Sequence, residues 1–177
     1  VNDTRDRILT KSEYAKLLDV CSESHLSILK DIVIFAYSVG ARQGEILKLK
    51  RSHIDFEKKL CTFYDTKSNE DRTIPLADET LAMLKKYRFG KYIFNTIPRR
   101  LRKWFLKATY KAEIFNFRFH DLRACFCTNA LLSGLSISEV SFLSGHKDWS
   151  QLKRYTRIKP EDLLDKINTI QVVNFKK

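Results

Sequence analysis

Residues 27–49 read Ser27-Ile28-Leu29-Lys30-Asp31-Ile32-Val33-Ile34-Phe35-Ala36-Tyr37-Ser38-Val39-Gly40-Ala41-Arg42-Gln43-Gly44-Glu45-Ile46-Leu47-Lys48-Leu49. Up to Val39, the residues Ile28, Ile32, Phe35 and Ala36 recur at helical spacing, which places them on one face of a largely buried helix. Gly40 is the natural break, since glycine closes a helix in the left-handed conformation without a Cβ penalty. A short second helix follows with Arg42, Glu45, Ile46 and Leu49. After it the period changes from helical to alternating, so the chain is helical on both sides of a small β element.

Working outward from this stretch, Thr10 with Glu13 three residues later forms a capping-box pattern, and Tyr14, Leu17 and Leu18 follow at helical spacing. On the other side, Ile54, Phe56, Leu60, Thr62 and Tyr64, then Thr73, Ile74 and Leu76, read as strands around a polar turn at Lys67, Ser68 and Asn69. A helix is expected over 78–87, a brief strand over 92–94, and Pro98 is suited to open another helix. In that helix Leu101, Trp104, Phe105 and Ala108 form an apolar stripe. Its opposite side carries Arg99, Arg100, Arg102, Lys103, Lys107 and Lys111 with no acid among them, a face fit for a phosphate backbone and equally for plain solvent. Further helices are expected over 120–132, 136–143, 150–155 and 160–168. The fold class is therefore mainly α with a small antiparallel β-sheet (α+β), and with no repeat, low-complexity tract or linker, residues 1–177 read as a single domain.

The chain has 177 residues, 33 basic and 21 acidic, for a net charge of +12. Such an excess points to a polyanion partner, nucleic acid before membrane. No stretch is apolar for long enough to cross a bilayer and no secretory leader opens the chain, so a soluble, cytoplasmic protein is expected. Cys21, Cys61, Cys125 and Cys127 sit among apolar neighbours without zinc-site spacing and read as reduced core thiols. Because the sequence opens on Val1, it is expected to be an excised piece of a longer protein, with an N-terminal partner domain, or a processed chain.

Cleaving a phosphodiester without a metal needs an attacking oxygen, donors for the charge on the non-bridging oxygens, and an acid for the leaving hydroxyl. Arginine is the best-suited donor, since its planar fork meets two phosphate oxygens and stays charged. One arginine, Arg42, follows the helix break with Glu45 three residues on. A second lies in His120-Asp121-Leu122-Arg123, with His120 and Arg123 on one helical turn. Leu143-Ser144-Gly145-His146 comes next, and nine residues beyond His146 lies Tyr155, within Lys153-Arg154-Tyr155-Thr156-Arg157. Each motif alone is weak; together and in this order they form a specific signal.

On these residues the chain resembles the catalytic domain of the tyrosine recombinases, the phage integrase and Xer-like site-specific recombinases. The likeness opens at Ile8-Leu9-Thr10-Lys11-Ser12-Glu13 and runs through Thr66-Lys67-Ser68 and Arg72-Thr73-Ile74-Pro75-Leu76 to the tyrosine. Two positions depart from the family pattern, Ala41 before the first arginine and Ala124 after the second, and neither removes a reacting group. The resemblance implies that Tyr155 attacks phosphorus to give a 3′-phosphotyrosyl link, while Arg42, Arg123 and His146 hold the phosphate oxygens. It implies that Lys67 protonates the leaving 5′-oxygen, that His120 assists proton transfer or orients the phosphate, and that Glu45 positions Arg42. Neither metal nor ATP is called for, because the phosphotyrosine conserves the energy of the broken bond.

The implied partner is double-stranded DNA, contacted also by Arg99, Arg100, Lys103, Lys107, Lys111, Lys153 and Arg154, with a dimer or tetramer of the chain itself assembled on it. The apolar tail over 160–177, with Leu163, Leu164, Ile167, Ile170, Val172, Val173 and Phe175, is a candidate for exchange between protomers or for folding back on its own domain. A type IB topoisomerase-like enzyme that relaxes DNA, and a DNA-binding module without catalysis, are the competing readings.

Overall fold

The computed structural model describes residues 7–64, 71–148, 150 and 152. In chain order these form α1 (Lys11–Ser22), α2 (Leu29–Val39), α3 (Gln43–Leu47), a 3-10 turn (Arg51–His53), β1 (Ile54–Asp55), β2 (Leu60–Phe63), β3 (Arg72–Pro75), α4 (Asp78–Lys85), α5 (Pro98–Lys111), α6 (Asp121–Leu132) and α7 (Ile137–Ser144).

The capping box exists as expected: Thr10 Oγ1 accepts from the Glu13 amide at 3.1 Å, and the Glu13 carboxylate accepts from the Thr10 amide at 2.8 Å. The apolar segment that follows forms the centre of the fold. Leu29, Ile32, Val33, Phe35, Ala36 and Val39 of α2 are all buried, and α1, α3, α4, α5 and α6 pack around that helix. Because α2 is covered on so many sides, its sequence is apolar beyond one stripe. A smaller cluster of Cys127, Val140 and Leu152, flanked by Phe126, Ala130, Leu131, Leu135 and Ile137, joins α6 to α7. All four cysteines are buried and outside any disulfide, and burial pushes the thiols of Cys21 and Cys61 up to about 12 and that of Cys125 up to about 11.

The strands form an antiparallel sheet in the order β1-β2-β3, with Cys61 opposite Ile54 and Ile74, and Phe63 opposite Arg72. Alternation sends Cys61, Phe63, Ile74 and Arg72 inward, while Thr62 and Thr73 meet on the outer face through hydroxyls 2.8 Å apart.

One expected strand does not form. Ile93 and Phe94 are buried, but among the described residues the segment's backbone reaches a distant part of the chain through one bond, from the Ile93 amide to the Leu49 carbonyl at 2.8 Å, rather than through a ladder. Its apolar character serves core packing, with the Phe94 ring 5.7 Å from that of Phe35. Smaller offsets occur at helix ends: α2 starts at Leu29 instead of residue 27, and α4 stops at Lys85 instead of residue 87. Of the helix expected over 150–155, Ser150 and Leu152 are described; the expected turn at Lys67 and the helix over 160–168 lie outside the described residues. No helix among the described residues is long and apolar enough to cross a membrane.

Gly40 ends α2 at φ +62°, and its carbonyl faces α6. A Cβ on this residue would stand 2.2 Å from the Phe126 ring. Gly40→Ala should therefore combine left-handed strain with overpacking and cost about 2–4 kcal/mol. Urea denaturation measures this, and an unchanged midpoint would refute the tight approach of α2 and α6.

Candidate active site

Three elements bring guanidinium groups to the carboxyl end of α7. Arg42 immediately precedes α3, which cannot begin earlier because Gly40 has turned the chain out of α2. Its Nη2 donates to the Gly145 carbonyl at 2.8 Å and its Nη1 to Glu45 Oε1 at 3.2 Å. Arg123 lies in the first turn of α6, only 4% exposed, and its Nη1 donates to the carbonyls of Ser144 and of Gly40, the latter at 2.7 Å. Arg72 enters from β3, with Nη1 donating to the Ser144 carbonyl at 2.8 Å and Nη2 to Glu45 Oε2 at 3.0 Å. The last carbonyls of a helix have no partner within it and carry the negative end of its dipole, so the α7 terminus is a physical reason for cations to gather here.

Glu45 is the counter-charge. Besides its two arginine contacts, Oε2 accepts from the Arg42 amide at 2.7 Å, fixing the start of α3. Both α3 and the site thus depend on the same carboxylate. It stands among three guanidinium groups, and this shortage of negative charge is felt. Burial, reinforced by the nearby charge of Arg42, pushes Arg123 down to about 10. Burial likewise lowers Arg72, against the opposing pull of Glu45. An anion brought to this cluster would relieve both costs.

His146 follows Gly145, which ends α7 at φ +74°. Its Nδ1 lies 2.7 Å from the hydroxyl of the fully buried Ser144, and its carbonyl accepts from Ser141 Oγ at 2.6 Å, so ring and backbone are both held. A cavity of about 250 Å³ opens beside it, lined by Arg72, Ser141, Gly145, His146 and Lys147 among others. His120 caps α6, exposed, with its carbonyl accepting from the Arg123 amide at 3.1 Å.

The structure thus brings Arg42, Glu45, Arg123 and His146 together around the end of α7, with His120 at the head of the helix that carries Arg123. Lys67, Lys153, Arg154 and Tyr155 lie outside the described residues. Two members of the cluster, Arg72 and Ser144, were not among the candidates. Arg72 did carry a signal: it shares the inward phase of Ile74, where a charge is out of place. Ser144 acts largely through its backbone carbonyl, which no residue type announces.

The basic side of α5 is less uniform than its sequence. Arg99, Arg100, Lys103, Lys107 and Lys111 are all exposed. Yet Lys111 pairs with Glu23 at 2.5 Å, and the ammonium groups of Lys103 and Lys107 lie over the Trp104 ring, 5.6 and 4.7 Å from its centroid. The acid missing from the helix itself is supplied from just beyond α1.

Removing Glu45 would leave the buried Arg72 and the half-buried Arg42 without their carboxylate. Glu45→Ala should cost about 3–5 kcal/mol by denaturant unfolding, the scale for breaking a buried ion pair from one side. A loss below about 1 kcal/mol, typical of surface pairs, would contradict the clamp.

The phage integrase family's sequence pattern matches residues 7–162. Among curated proteins, the shufflon-specific DNA recombinase of Escherichia coli is 33% identical over 172 residues, covering 95% of this chain and 44% of that protein. The integrase of Salmonella phage P22 is 28% identical, covering 96% of this chain and 48% of that protein, so the chain spans about half the length of these two relatives. Among solved structures, the catalytic domain of bacteriophage HP1 integrase superposes with a TM-score of 0.79 at 27% identity, covering 94% of this chain and 96% of that one. With its family pattern and fold both accounted for over nearly the whole length, the chain belongs to the phage integrase family of tyrosine recombinases.

Proposed function

We propose that this chain is the catalytic domain of a site-specific DNA recombinase that cuts and rejoins DNA through a 3′-phosphotyrosyl intermediate. The observation that carries the proposal is the convergence of Arg42, Arg123 and His146 on the carboxyl end of α7. A guanidinium group has five N–H donors. Arg123 directs Nη1 to two carbonyls and Arg42 directs one bond from each Nη to protein acceptors, so each retains donors for a phosphate. Holding these forks in place beforehand is what stabilises the extra charge of a five-coordinate phosphorus, since no reorganisation is then needed at the moment of reaction.

In this mechanism the Tyr155 oxygen attacks phosphorus and the 5′-oxygen departs with a proton from Lys67. His120 assists proton transfer or orients the phosphate. His146, its ring tethered to Ser144, donates to a non-bridging oxygen. A 5′-hydroxyl then attacks the phosphotyrosine, releasing Tyr155 and resealing the strand without ATP. The relatives' names, a recombinase and an integrase, support the same chemistry on double-stranded DNA. Arg99, Arg100, Lys103, Lys107, Lys153 and Arg154 supply backbone contacts in this proposal, with Lys111 contributing once released from Glu23. Residues 1–177 act as one domain, and chains assemble in pairs or fours on DNA, with the tail over 160–177 exchanged between protomers.

Incubating the protein with a nicked half-site in EDTA should yield a covalent protein–DNA adduct in denaturing gels. Tyr155→Phe should abolish the adduct and leave binding intact, and Arg42→Ala should slow its formation by on the order of 10²-fold or more. An adduct that persists in Tyr155→Phe would assign the nucleophile elsewhere. Binding should weaken with salt at a log-log slope of about −0.9 per phosphate contacted, and salt-insensitive binding would contradict the backbone contacts.

A further inference from the structure

Arg72 is placed at odds with its surroundings. It sits 8% exposed in the inward phase of β3, opposite Phe63, with its guanidinium carbon 4.9 Å from the Phe63 ring centroid. Its Nε is buried and has no hydrogen-bond partner among the described residues. An apolar side chain in that slot, like Ile74 two residues on, would avoid the desolvation of a cation and an orphaned donor, so stability alone is a poor reason for an arginine here.

What Arg72 does is join three parts of the site. One donor reaches the carboxylate that also holds Arg42, and another reaches the Ser144 carbonyl that also holds Arg123. The main chain then runs from Ser144 through Gly145 to His146. The space for this strut exists because residue 145 lacks a side chain: a Cβ there would lie 1.8 Å from Arg72 Nη1. Arg42 and Arg123 are thereby set at a fixed separation by one fork, as a rigid planar group can do and a flexible ammonium cannot.

We propose that Arg72 is a positioning residue of the strand-cleaving site, holding Arg42 through Glu45 and Arg123 through the Ser144 carbonyl so that both forks meet one phosphate. This rests on the function proposed above. Arg72 acts through these neighbours and does not itself touch DNA. Small displacements of phosphate-gripping groups cost rate steeply, up to about 10²-fold for a shift near 1 Å.

The test is single-turnover cleavage of a half-site, with affinity and melting temperature measured in parallel, for Arg72→Met and Arg72→Lys. Each variant is assayed on an ordinary scissile phosphodiester and on a methylphosphonate, whose uncharged methyl replaces one non-bridging oxygen. Arg72→Met should bind DNA as tightly as the unaltered protein but cleave the phosphodiester about 10- to 100-fold more slowly. Arg72→Lys, which keeps the charge and loses the fork, should fold and fall between the two. On the methylphosphonate, where less charge needs to be gripped, the penalty should shrink in both variants, in parallel with Arg42→Ala.

An Arg72→Lys protein that cleaves the phosphodiester at the unaltered rate would overturn the proposal. So would a penalty of equal size on both substrates, the mark of a purely structural defect. If Arg72→Met does not fold, Arg72→Lys carries the test on the same terms. Failure of the unaltered protein to form any adduct would instead overturn the recombinase reading itself.

Discussion

The carbonyls of Ser144 and Gly145, at the end of α7, are the acceptors around which the site is built. Backbone acceptors at a helix terminus must find donors, and here the donors come from three separate regions: the start of α3, the strand β3 and the first turn of α6. These contacts span large separations along the chain, so the site exists only when the fold is complete. Conversely, the fold depends on the site, because Glu45 at once starts α3 and pairs with the buried Arg72 and the half-buried Arg42.

The arrangement is electrostatically incomplete in a way that suits an anion. Three guanidinium groups gather near one carboxylate, which pairs with Arg42 and Arg72, and the partial charge of a helix end, and burial makes the charge of Arg72 and Arg123 costly. A protein selected for stability alone would fill such a place with apolar side chains. Retaining the charges keeps donors aimed and desolvated in advance, which under the proposed function is the condition in which hydrogen bonds to a phosphate lower a barrier most.

Much of the fold was legible because its signals are local. The capping box at Thr10, the glycine after Val39, Pro98 opening α5 and the alternation through Leu60 and Ile74 each depend on a few adjacent residues, and each matches an element or boundary of the structure. Tyr92–Phe94 misled because apolar residues mark burial, and burial there is achieved without a strand partner. The same limit applies at α5, where Glu23 approaches Lys111 across 88 residues of sequence. Within the site, Arg42, Arg123 and His146 stood out through motif order. Arg72 was hidden in a strand until its burial and its two acceptors became visible, and the carbonyl of Ser144 could not be read from any side chain.

The central claim is that the guanidinium groups of Arg42 and Arg123, held at the end of α7, form the seat of the scissile phosphate. A crystal structure of the protein bound to a half-site duplex tests it most directly. The account predicts non-bridging oxygens of the scissile phosphate about 2.7–3.2 Å from nitrogens of both Arg42 and Arg123, with the Ser144 and Gly145 carbonyls still accepting from the arginines. A scissile phosphate lodged elsewhere, such as along α5, with the arginine cluster unchanged and facing no DNA, would contradict it.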